Sequence, residues 1–479
     1  MSDSAVSLNG VSFSYAAAER DSLTRLDLSL RPGEFVVLAG PSGSGKTTLT
    51  RLVNGLIPHY YAGSLSGQVL VNGIDPSACP LWRLPVGSVF QNPRAQFFTT
   101  DTASEIAFGA ENLGLDRAEI LRRVDEAVAA LGLAELRDRS VFALSGGEKQ
   151  RVACASVAAV KPAIFALDEP SANLDLKSTG QLREIMAGWK ASGATVVVAE
   201  HRLGFLRDLA DRVLVFADGQ LQAEYSGAAF RSLGDGQLHR LGLRSAWGKT
   251  MAATSPPDGV DCFEVEGLVC QQRRSQAPGL SAPARGQRIE IGDLRIPKGK
   301  VTALVGANGC GKSTFAAWLG GLRRDREGRF SDGQREWSTA QRRRRVFVVL
   351  QDVNHQLFTE AVAEEIALAL RLASPTSQPL LSVDQIMESL DISSVADRHP
   401  MSLSTGQKQR LAIGAALASG RELIVLDEPS AGLDLNHMFG VANALRMLAR
   451  SGQTVVVATH DTELVAACAD NIISLDRPR

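Results

Sequence analysis

The stretch Gly-Pro-Ser-Gly-Ser-Gly-Lys-Thr at residues 40–47 follows an apolar run at 35–39 and precedes a helical pattern. A strand, a glycine-rich loop that ends in Lys-Thr or Lys-Ser, and a helix make up the Walker A arrangement, whose backbone N–H groups surround phosphate oxygens. A second copy, Gly-Ala-Asn-Gly-Cys-Gly-Lys-Ser, occupies 306–313 in the same context. The sequence therefore predicts two phosphate-binding loops on an α/β fold.

Two further motifs recur in the same order as the loops. Leu-Ser-Gly-Gly-Glu-Lys-Gln-Arg at 144–151 returns as Leu-Ser-Thr-Gly-Gln-Lys-Gln-Arg at 403–410, and Leu-Asp-Glu-Pro-Ser at 167–171 returns at 426–430. The distance along the chain between these two motifs is the same in both copies. A repeat of this length indicates one domain present twice rather than a short-period solenoid.

The domain organisation follows from this duplication. Ala, Thr, Ser, Pro and Gly cluster at 251–259, and such clusters mark segments between domains. We expect a first domain over 1–240, a linker over 241–260 and a second domain over 261–479. Short apolar runs alternate with helical patterns in each half, which predicts a mostly parallel sheet. Buried strands are expected at 35–39, 164–167, 195–199, 301–305, 423–426 and 454–458.

Residue type assigns a role to each position of the phosphate loops. Glycines leave the backbone free to turn its N–H groups inwards, the lysine places a positive charge on the β and γ phosphates, and the Thr or Ser hydroxyl can bind Mg²⁺. The threonine that follows extends the candidate nucleotide contacts in both halves. These residues are Gly40, Gly43, Gly45, Lys46, Thr47 and Thr48, and then Gly306, Gly309, Gly311, Lys312, Ser313 and Thr314.

An Asp-Glu pair ends a predicted strand in each half, and a histidine follows a later valine-rich strand. Ligand sites in open α/β sheets lie at the carboxyl ends of strands, so the aspartate is a candidate Mg²⁺ ligand. The glutamate is a candidate general base that polarises the attacking water. The histidine is a candidate for binding both the γ-phosphate and that base. The three residues are Asp168, Glu169 and His201 in the first half, and Asp427, Glu428 and His460 in the second.

The composition excludes some function classes. The chain has 479 residues, a formal net charge of −1 and 44% hydrophobic residues, without the strongly basic character typical of nucleic-acid binding. The spacing of the six cysteines suits neither a zinc site nor a disulfide framework, so free thiols are expected. Residues 1–10 lack the basic-then-apolar pattern of a signal peptide, and the sequence contains no run of about 18 apolar residues. We expect a soluble chain that reaches a membrane only through a partner.

The motif at 144–151 resembles the signature of the ABC ATPases, and the resemblance covers both halves of the chain. It implies two P-loop NTPase domains, each with an inserted helical subdomain, and two ATP sites shared head-to-tail between the halves or between two copies. Signature residues of one half would contact ATP held by the phosphate loop of the other. They are Ser145, Gly146, Gly147, Ser404 and Gly406, while Asp175 and Asp434 resemble aspartates that cross the same interface.

Gln91 and Gln351 resemble the glutamines of the ABC Q-loop, which reach Mg²⁺ and sense a membrane partner. The stretches 91–109 and 351–368 resemble the ATPases of energy-coupling factor (ECF) importers, including the cobalt and nickel types. In that group the ATPase pair drives a transmembrane coupling protein, often joined to a substrate-binding membrane protein for vitamins, vitamin precursors or transition metals. The resemblance implies a peripheral protein at the cytoplasmic face of the membrane. Residues expected near the partner are Phe97, Phe98, Leu357 and Phe358.

The two halves depart from each other at two candidate site positions. Tyr15 is expected to stack on adenine, whereas Gln272 occupies the matching place in the second half. Thr405 replaces a signature glycine, and a β-branched residue resists positive φ, which predicts a looser site around Lys46. Because both candidate bases and both histidines are present, we expect both sites to hydrolyse ATP at unequal rates.

Two other functions fit the motifs less well. Translation or ribosome factors with paired cassettes usually have a long, charged helical linker, whereas the linker here is short and rich in Ser and Pro. DNA-repair and chromosome-tethering ATPases need long coiled coils between phosphate loop and signature, and the insertion here lacks heptads. We favour the importer ATPase and keep the soluble, ribosome-associated ATPase as the alternative.

Overall fold

A computed structural model describes residues 4–16, 18, 20–172, 174–245, 252–254, 256–257, 259–272, 287–307, 309–323, 328–373 and 381–475. The side chains of Gln271, Gln272, Gln287 and Thr405 lie outside this description, although their backbones belong to it. The described residues form two compact units, whose boundary in the chain falls between 245 and 252. Each unit carries one copy of the repeated motifs.

The first unit alternates strands and helices along the chain. Its strands are β1 (Val6–Tyr15), β2 (Leu23–Leu30), β3 (Phe35–Ala39), β4 (Gly63–Val71), β5 (Val86–Val89), β6 (Ile164–Asp168), β7 (Thr195–Ala199), β8 (Arg212–Ala217) and β9 (Gln220–Ser226). Its helices are α1 (Lys46–Val53), α2 (Leu56–His59), α3 (Thr102–Asn112), α4 (Arg117–Ala130), α5 (Gly146–Ala159), α6 (Leu176–Ala191), α7 (Gly227–Arg231) and α8 (Asp235–Arg240).

The larger sheet of this unit has the order β5-β6-β7-β3-β8-β9. All neighbours are parallel except β8 and β9. Strands β3 and β7 are buried at every position, so they are continuous apolar runs, as expected for strands covered on both faces. The predicted strands and the mostly parallel core are confirmed.

Helices α3 and α4 lie between β5 and β6 in the chain and form the inserted helical part, with α5 returning to the sheet. Val124, Val128 and Leu131 face the core, as their helical spacing predicts. Leu121 has the same helical spacing, so the pattern predicts it in this apolar stripe as well, but that prediction is wrong because Leu121, in the first half of α4, is exposed.

The second unit repeats this arrangement. Its strands are β10 (Cys262–Gln272), β11 (Gln287–Pro297), β12 (Val301–Val305), β13 (Arg329–Ser331), β14 (Val346–Val349), β15 (Leu423–Asp427), β16 (Thr454–Ala458) and β17 (Asn471–Ser474). Its helices are α9 (Lys312–Leu319), α10 (Thr339–Arg345), α11 (Val362–Arg371), α12 (Val383–Ser389), α13 (Thr405–Ala418), α14 (Leu435–Arg450) and α15 (Thr462–Cys468). The parallel sheet has the order β14-β15-β16-β12-β17.

Each unit also has a three-stranded antiparallel sheet that was not predicted: β2-β1-β4 in the first and β11-β10-β13 in the second. β2 alternates buried and exposed residues, which is the usual sign of a strand with one face in the core. In β1 the pairing register shifts between Leu8 and Val11, around Gly10 with φ 56°. Such bulges interrupt the period of two on which strand prediction depends.

The ends of the predicted linker make contacts within the units. Leu243 belongs to the hydrophobic core of the first unit. Thr254 donates its backbone N–H to Ile472 O at 2.9 Å, and its hydroxyl bonds to Asn471, which ties this residue to β17. Leu243 thus packs in the first unit and Thr254 bonds to the second unit. The linker bounds 241–260 stay a prediction.

Two expectations from composition can be compared with the structure. All six cysteines lie in the described ranges and are free thiols, as expected. Over the part of the chain that the structure describes, we find no helix with the length and hydrophobicity needed to cross a bilayer.

Candidate active site

The first phosphate loop connects β3 to α1 and depends on its glycines. All six predicted loop glycines, three in each half, have positive φ, and Gly40 and Gly45 have values of 143° and 103°. A Cβ atom on Gly40 would lie 2.2 Å from the carbonyl oxygen of Phe216. Only glycine therefore fits at position 40, and the positive φ values of the loop glycines suit a backbone that turns around a phosphate group.

The lysine that follows each loop is buried over it. The Nζ atom of Lys46, the first residue of α1, donates to the carbonyl oxygens of Gly40 and Pro41, both at 2.8 Å. Lys312 begins α9 in the same way and donates to two loop carbonyls at 2.6 and 3.2 Å. A buried ammonium group beside inward-turned N–H groups fits the phosphates of a nucleotide.

An aspartate lies close to the loop in each half, partly buried in the first half and buried in the second. Asp168 accepts a hydrogen bond from the Thr47 hydroxyl at 2.9 Å, and burial, reinforced by the charge of Glu169, raises its pKa. Burial raises the pKa of Asp427 to about 6, against the hydrogen bond from Ser313. Mg²⁺ prefers such carboxylate and hydroxyl oxygens, and its charge would offset the cost of burying the carboxylate. The residues of both halves therefore fit Mg²⁺.

Glu169 lies next to Asp168 in a strained backbone conformation. Its φ is 44°, and its counterpart Glu428 has a φ of 50°, in the left-handed region that costs a non-glycine residue free energy. The amide nitrogen of Gln91 donates to Glu169 Oε2 at 2.6 Å. Nε2 of His201 lies 3.2 Å from Glu169 Oε1. The structure thus brings three predicted residues of the first half together.

Glu428 has different partners in the second half. Nδ1 of His460 lies 2.9 Å from Oε1 of Glu428, whereas His201 approaches Glu169 through its Nε2 atom. The hydroxyl of Thr459 donates to Glu428 Oε2 at 3.1 Å, and both residues are buried. Gln351, the counterpart of the glutamine that reaches Glu169, is exposed.

Tyr15, the predicted adenine contact, ends β1 beside the phosphate loop. Its hydroxyl lies 3.3 Å from the hydroxyl of Thr48 and accepts a hydrogen bond from Arg51 at 2.8 Å. The guanidinium of Arg51 also lies 4.0 Å from the ring centroid of Tyr61. These contacts fix the ring next to α1. The matching position in the second half is Gln272, whose side chain lies outside the described residues.

The signature serines cap the helices that they begin. Ser145 and Glu148 form a capping box at the start of α5, and Ser404 and Gln407 form one at the start of α13. Thr405 is the first residue of α13, where the backbone is helical and φ is negative. The expectation that its β-branched side chain would conflict with a positive φ is therefore wrong.

The signature glycines differ in the space around them. A Cβ atom on Gly146 would meet nothing within 4 Å inside its unit, which explains why the equivalent position accepts threonine. A Cβ atom on Gly147 would lie 2.3 Å from Ser178 Oγ, and one on Gly406 would lie 3.3 Å from the Leu433 side chain. The fourth position of the motif, held by Gly147 and Gly406, is thus more restricted than the third.

The two aspartates assigned to the interface between halves cap helices of their own unit. Asp175 accepts the backbone N–H of Ser178 at the start of α6, at 2.8 Å. Asp434 accepts the backbone N–H of His437 at the start of α14, at 2.9 Å, and the Nδ1 atom of the same histidine at 2.8 Å. Their predicted role across the interface remains a prediction.

Sequence reasoning missed several residues of the site. Arg51 bonds to Tyr15, and Thr459 bonds to Glu428. Glu200, the counterpart of Thr459, is buried and accepts backbone N–H groups of Ser171 and His201. Glu200 and Thr459 immediately precede the two candidate histidines, so a residue-by-residue comparison of the copies would have found them.

Comparisons with known proteins agree with this geometry. The ABC transporter family model matches residues 23–172 and 290–431. A protein of Treponema denticola named "Putative ABC transporter ATP-binding protein" is 38% identical over 98% of this chain and 95% of its own length. A protein of the same name from Methanosarcina mazei is 34% identical over 98% of this chain and 87% of its own length.

The solved structure of a complex between the archaeal ribosomal stalk protein aP1 and the archaeal ribosome recycling factor aABCE1 also aligns with the chain. The identity is 23% and the TM-score 0.62, over 98% of this chain and 87% of that chain. At this identity the likeness shows the fold alone. The family model and the relatives cover both units, so the protein belongs to the ABC transporter family and carries two ATP-binding cassettes in one chain.

Proposed function

We propose that this chain is the ATPase subunit of an ECF-type membrane importer for a vitamin, a vitamin precursor or a transition metal. The proposal places it at the cytoplasmic face of the membrane, bound to a transmembrane coupling subunit and to a substrate-binding membrane subunit. One observation carries it: each half exposes a pair of apolar side chains, one on the loop that begins at its Q-loop glutamine and one on a second segment that is hydrogen-bonded to that loop.

In the first half these side chains are Phe98 and Phe142, which are 73% and 62% exposed. We refer to them, together with their counterparts in the second half, as the apolar pairs. The ring of Phe98 stacks on Phe108 of α3, with centroids 4.9 Å apart. The two segments that carry the pair are joined through the backbone, since the Thr102 N–H donates to the Arg139 carbonyl at 3.0 Å.

The second half repeats the feature with Phe358 and Met401, which are 77% and 48% exposed. Its two segments are joined by the same backbone bond, from the Val362 N–H to the Arg398 carbonyl at 3.1 Å. Exposed phenylalanines at equivalent positions of two otherwise divergent copies are typical of a protein contact rather than of chance exposure.

A buried glutamate fixes the loop beneath each exposed phenylalanine. Glu105 Oε2 accepts the backbone N–H groups of Phe98 and Thr99, at 3.0 and 2.9 Å, and also the Thr99 hydroxyl. Glu365 makes the same three bonds to Phe358 and Thr359 in the second half. A loop that is ordered before binding loses less conformational entropy when a partner docks.

The apolar pair is connected to the candidate base through a short piece of chain. Gln91, which bonds to Glu169, and Phe98 belong to one loop, braced by Gln96 through bonds to the backbone of Phe90 and Ser88. A partner segment seated on Phe98 would therefore bias the position of the glutamine beside the base. This route supports coupling between an apolar membrane partner and ATP hydrolysis.

For the reaction we propose that Glu169 and Glu428 orient and deprotonate the attacking water, while His201 and His460 hold these carboxylates in place. Lys46 and Lys312, with the loop N–H groups, would bind the phosphates of ATP. The Thr47–Asp168 and Ser313–Asp427 pairs would hold Mg²⁺, which supplies positive charge against the phosphates.

Completion of each ATP site by the opposite signature is part of the same proposal. Ser145, Gly146 and Gly147 would reach ATP on Lys312, and Ser404 and Gly406 would reach ATP on Lys46. The signature serines each begin a helix whose N-terminal N–H groups suit an anion, which supports this role.

The test is co-expression with the membrane-protein genes encoded beside this one, followed by purification through a tag on this chain. We expect polytopic membrane proteins to co-purify. The double variant Phe98→Ser, Phe358→Ser should lose them, and Leu121→Ser should retain them as a matched change of an exposed apolar residue outside the pairs.

Recovery of ribosomes or translation factors in place of membrane proteins would overturn the importer proposal in favour of the soluble, ribosome-associated ATPase. Equal loss of membrane proteins from the Leu121 variant would remove the apolar pairs as the site of contact. Basal ATP hydrolysis is measured in every preparation, so that a general loss of folding is recognised.

A further inference from the structure

We propose that the residue immediately before the candidate histidine, Glu200 in the first half and Thr459 in the second, decides how readily the neighbouring base can act. The hydrogen bond from Thr459 keeps the Glu428 carboxylate in a buried position, so the second half hydrolyses ATP more slowly than the first. The inference rests on the proposed roles of Glu169 and Glu428 as bases, and it is independent of the membrane partner.

Thr459 is fully buried, and its hydroxyl forms two hydrogen bonds. Its hydroxyl donates to Glu428 Oε2 at 3.1 Å and accepts the backbone N–H of Asp461 at 3.1 Å. The backbone N–H of His460 adds a longer bond to the same carboxylate oxygen, at 3.4 Å. To reach a water molecule at a bound nucleotide, Glu428 must break its bond with Thr459 and leave a buried donor without its acceptor, which is costly in a dry environment.

In the first half the corresponding side chain cannot act in this way. Glu200 accepts the backbone N–H of Ser171 at 2.9 Å through one oxygen, and those of His201 and Arg202 at 3.1 and 3.4 Å through the other. These bonds join the segment after Glu169 to the segment that carries the histidine. The carboxylate of Glu200 thus supports the backbone and repels Glu169 rather than holding it.

Glu169 is instead held by the side-chain amide of Gln91, which is easier to replace than the Thr459 hydroxyl that holds Glu428. Gln91 is exposed, so water or a nucleotide group can take its place at little cost when the amide moves away. The two bases therefore differ in what they must give up before they act: an exposed amide in the first half and a buried hydroxyl in the second. The histidine contact is common to both.

The experiment isolates the second base by combining Thr459→Val with Glu169→Gln in the full chain. Valine has the shape of threonine without the hydroxyl. We expect the kcat for ATP hydrolysis to rise about tenfold over Glu169→Gln alone, as expected for release of one hydrogen bond to a charged group, while KM for ATP stays unchanged. A gain of activity cannot come from damage to the fold.

Thr459→Ser in the same background is the control, since it keeps the hydroxyl and should keep the low rate. Thr459→Ala, a smaller change that also lacks the hydroxyl, should reproduce the gain if the valine variant does not fold. An unchanged or lower kcat in folded Val and Ala variants overturns the proposal, as does an equal gain in the serine variant. Hydrolysis that persists in Glu169→Gln, Glu428→Gln would instead remove the base roles themselves.

Discussion

Glu169 and Glu428 directly follow equivalent strands, share a left-handed backbone conformation and have a histidine at the same distance along the chain, yet their side chains have different hydrogen-bond partners. In the first half the partners are exposed Gln91 and Nε2 of the histidine. In the second half they are buried Thr459 and Nδ1 of the histidine. The two copies of the motif thus have the same backbone conformation, while residues outside the motif determine which hydrogen bonds hold the glutamate side chain.

The largest effect is expected from removal of the bases. Glu169→Gln with Glu428→Gln should lower ATPase activity by at least about a hundredfold, because a general base contributes factors of this size or more. Each single variant should keep activity from the other half, with the greater loss in Glu169→Gln. Steady-state ATPase rates measure this ordering, and equal losses in the two single variants would remove the inequality between the halves.

The next largest effect is expected on thermal stability in the absence of nucleotide and Mg²⁺, through Asp168 and Asp427. A pKa of about 6 for Asp427 in the folded chain, against an ordinary value of 3.8, means that its ionised form costs about 3 kcal/mol at pH 7.5. Asp427→Asn should therefore raise the melting temperature of the second unit by several degrees without nucleotide or Mg²⁺. Asp168→Asn should raise that of the first unit by less, since the Thr47 hydrogen bond and the charges of Arg51 and Lys46 oppose the rise in the pKa of Asp168, and Asp427 lacks a counterpart of Arg51 among these groups.

The same carboxyl predicts a pH dependence with a defined sign. Because the folded-state pKa of Asp427 is raised, its stabilising contribution is complete below about pH 4 and is lost as the pH rises through about 6. The melting temperatures of wild type and Asp427→Asn without ligand should thus diverge between about pH 4 and pH 6, with wild type becoming the less stable protein as the pH rises. Parallel curves over this window would contradict the assignment.

The smallest effects should distinguish the two signature glycines. Gly146→Thr copies the second half and should change stability by less than about 0.5 kcal/mol, because open space surrounds its Cβ position within the unit. Gly147→Ala should cost more, since its Cβ atom would press on Ser178. Chemical denaturation of both variants tests the order, and a larger loss in Gly146→Thr would contradict it.

The motifs were enough to predict the parallel cores and to choose the residues that meet at each phosphate loop, because strand ends and loop glycines are fixed by short-range sequence. They did not predict the antiparallel sheets, where a bulge in β1 hides the alternation. They also missed Arg51, Glu200 and Thr459, whose partners Tyr15, Ser171 and Glu428 lie 36, 29 and 31 residues away along the chain. The concern about Thr405 failed because the position is helical and the motif alone does not reveal its φ.

The buried glutamates Glu105 and Glu365 set the shape of the loops that display Phe98 and Phe358 through bonds to the backbone. The exposed rings contribute little to that shape. Evolution is therefore free to exchange the displayed side chain without rebuilding the loop. Since two such positions lie in one chain, each can diverge independently while their stoichiometry stays fixed at one to one.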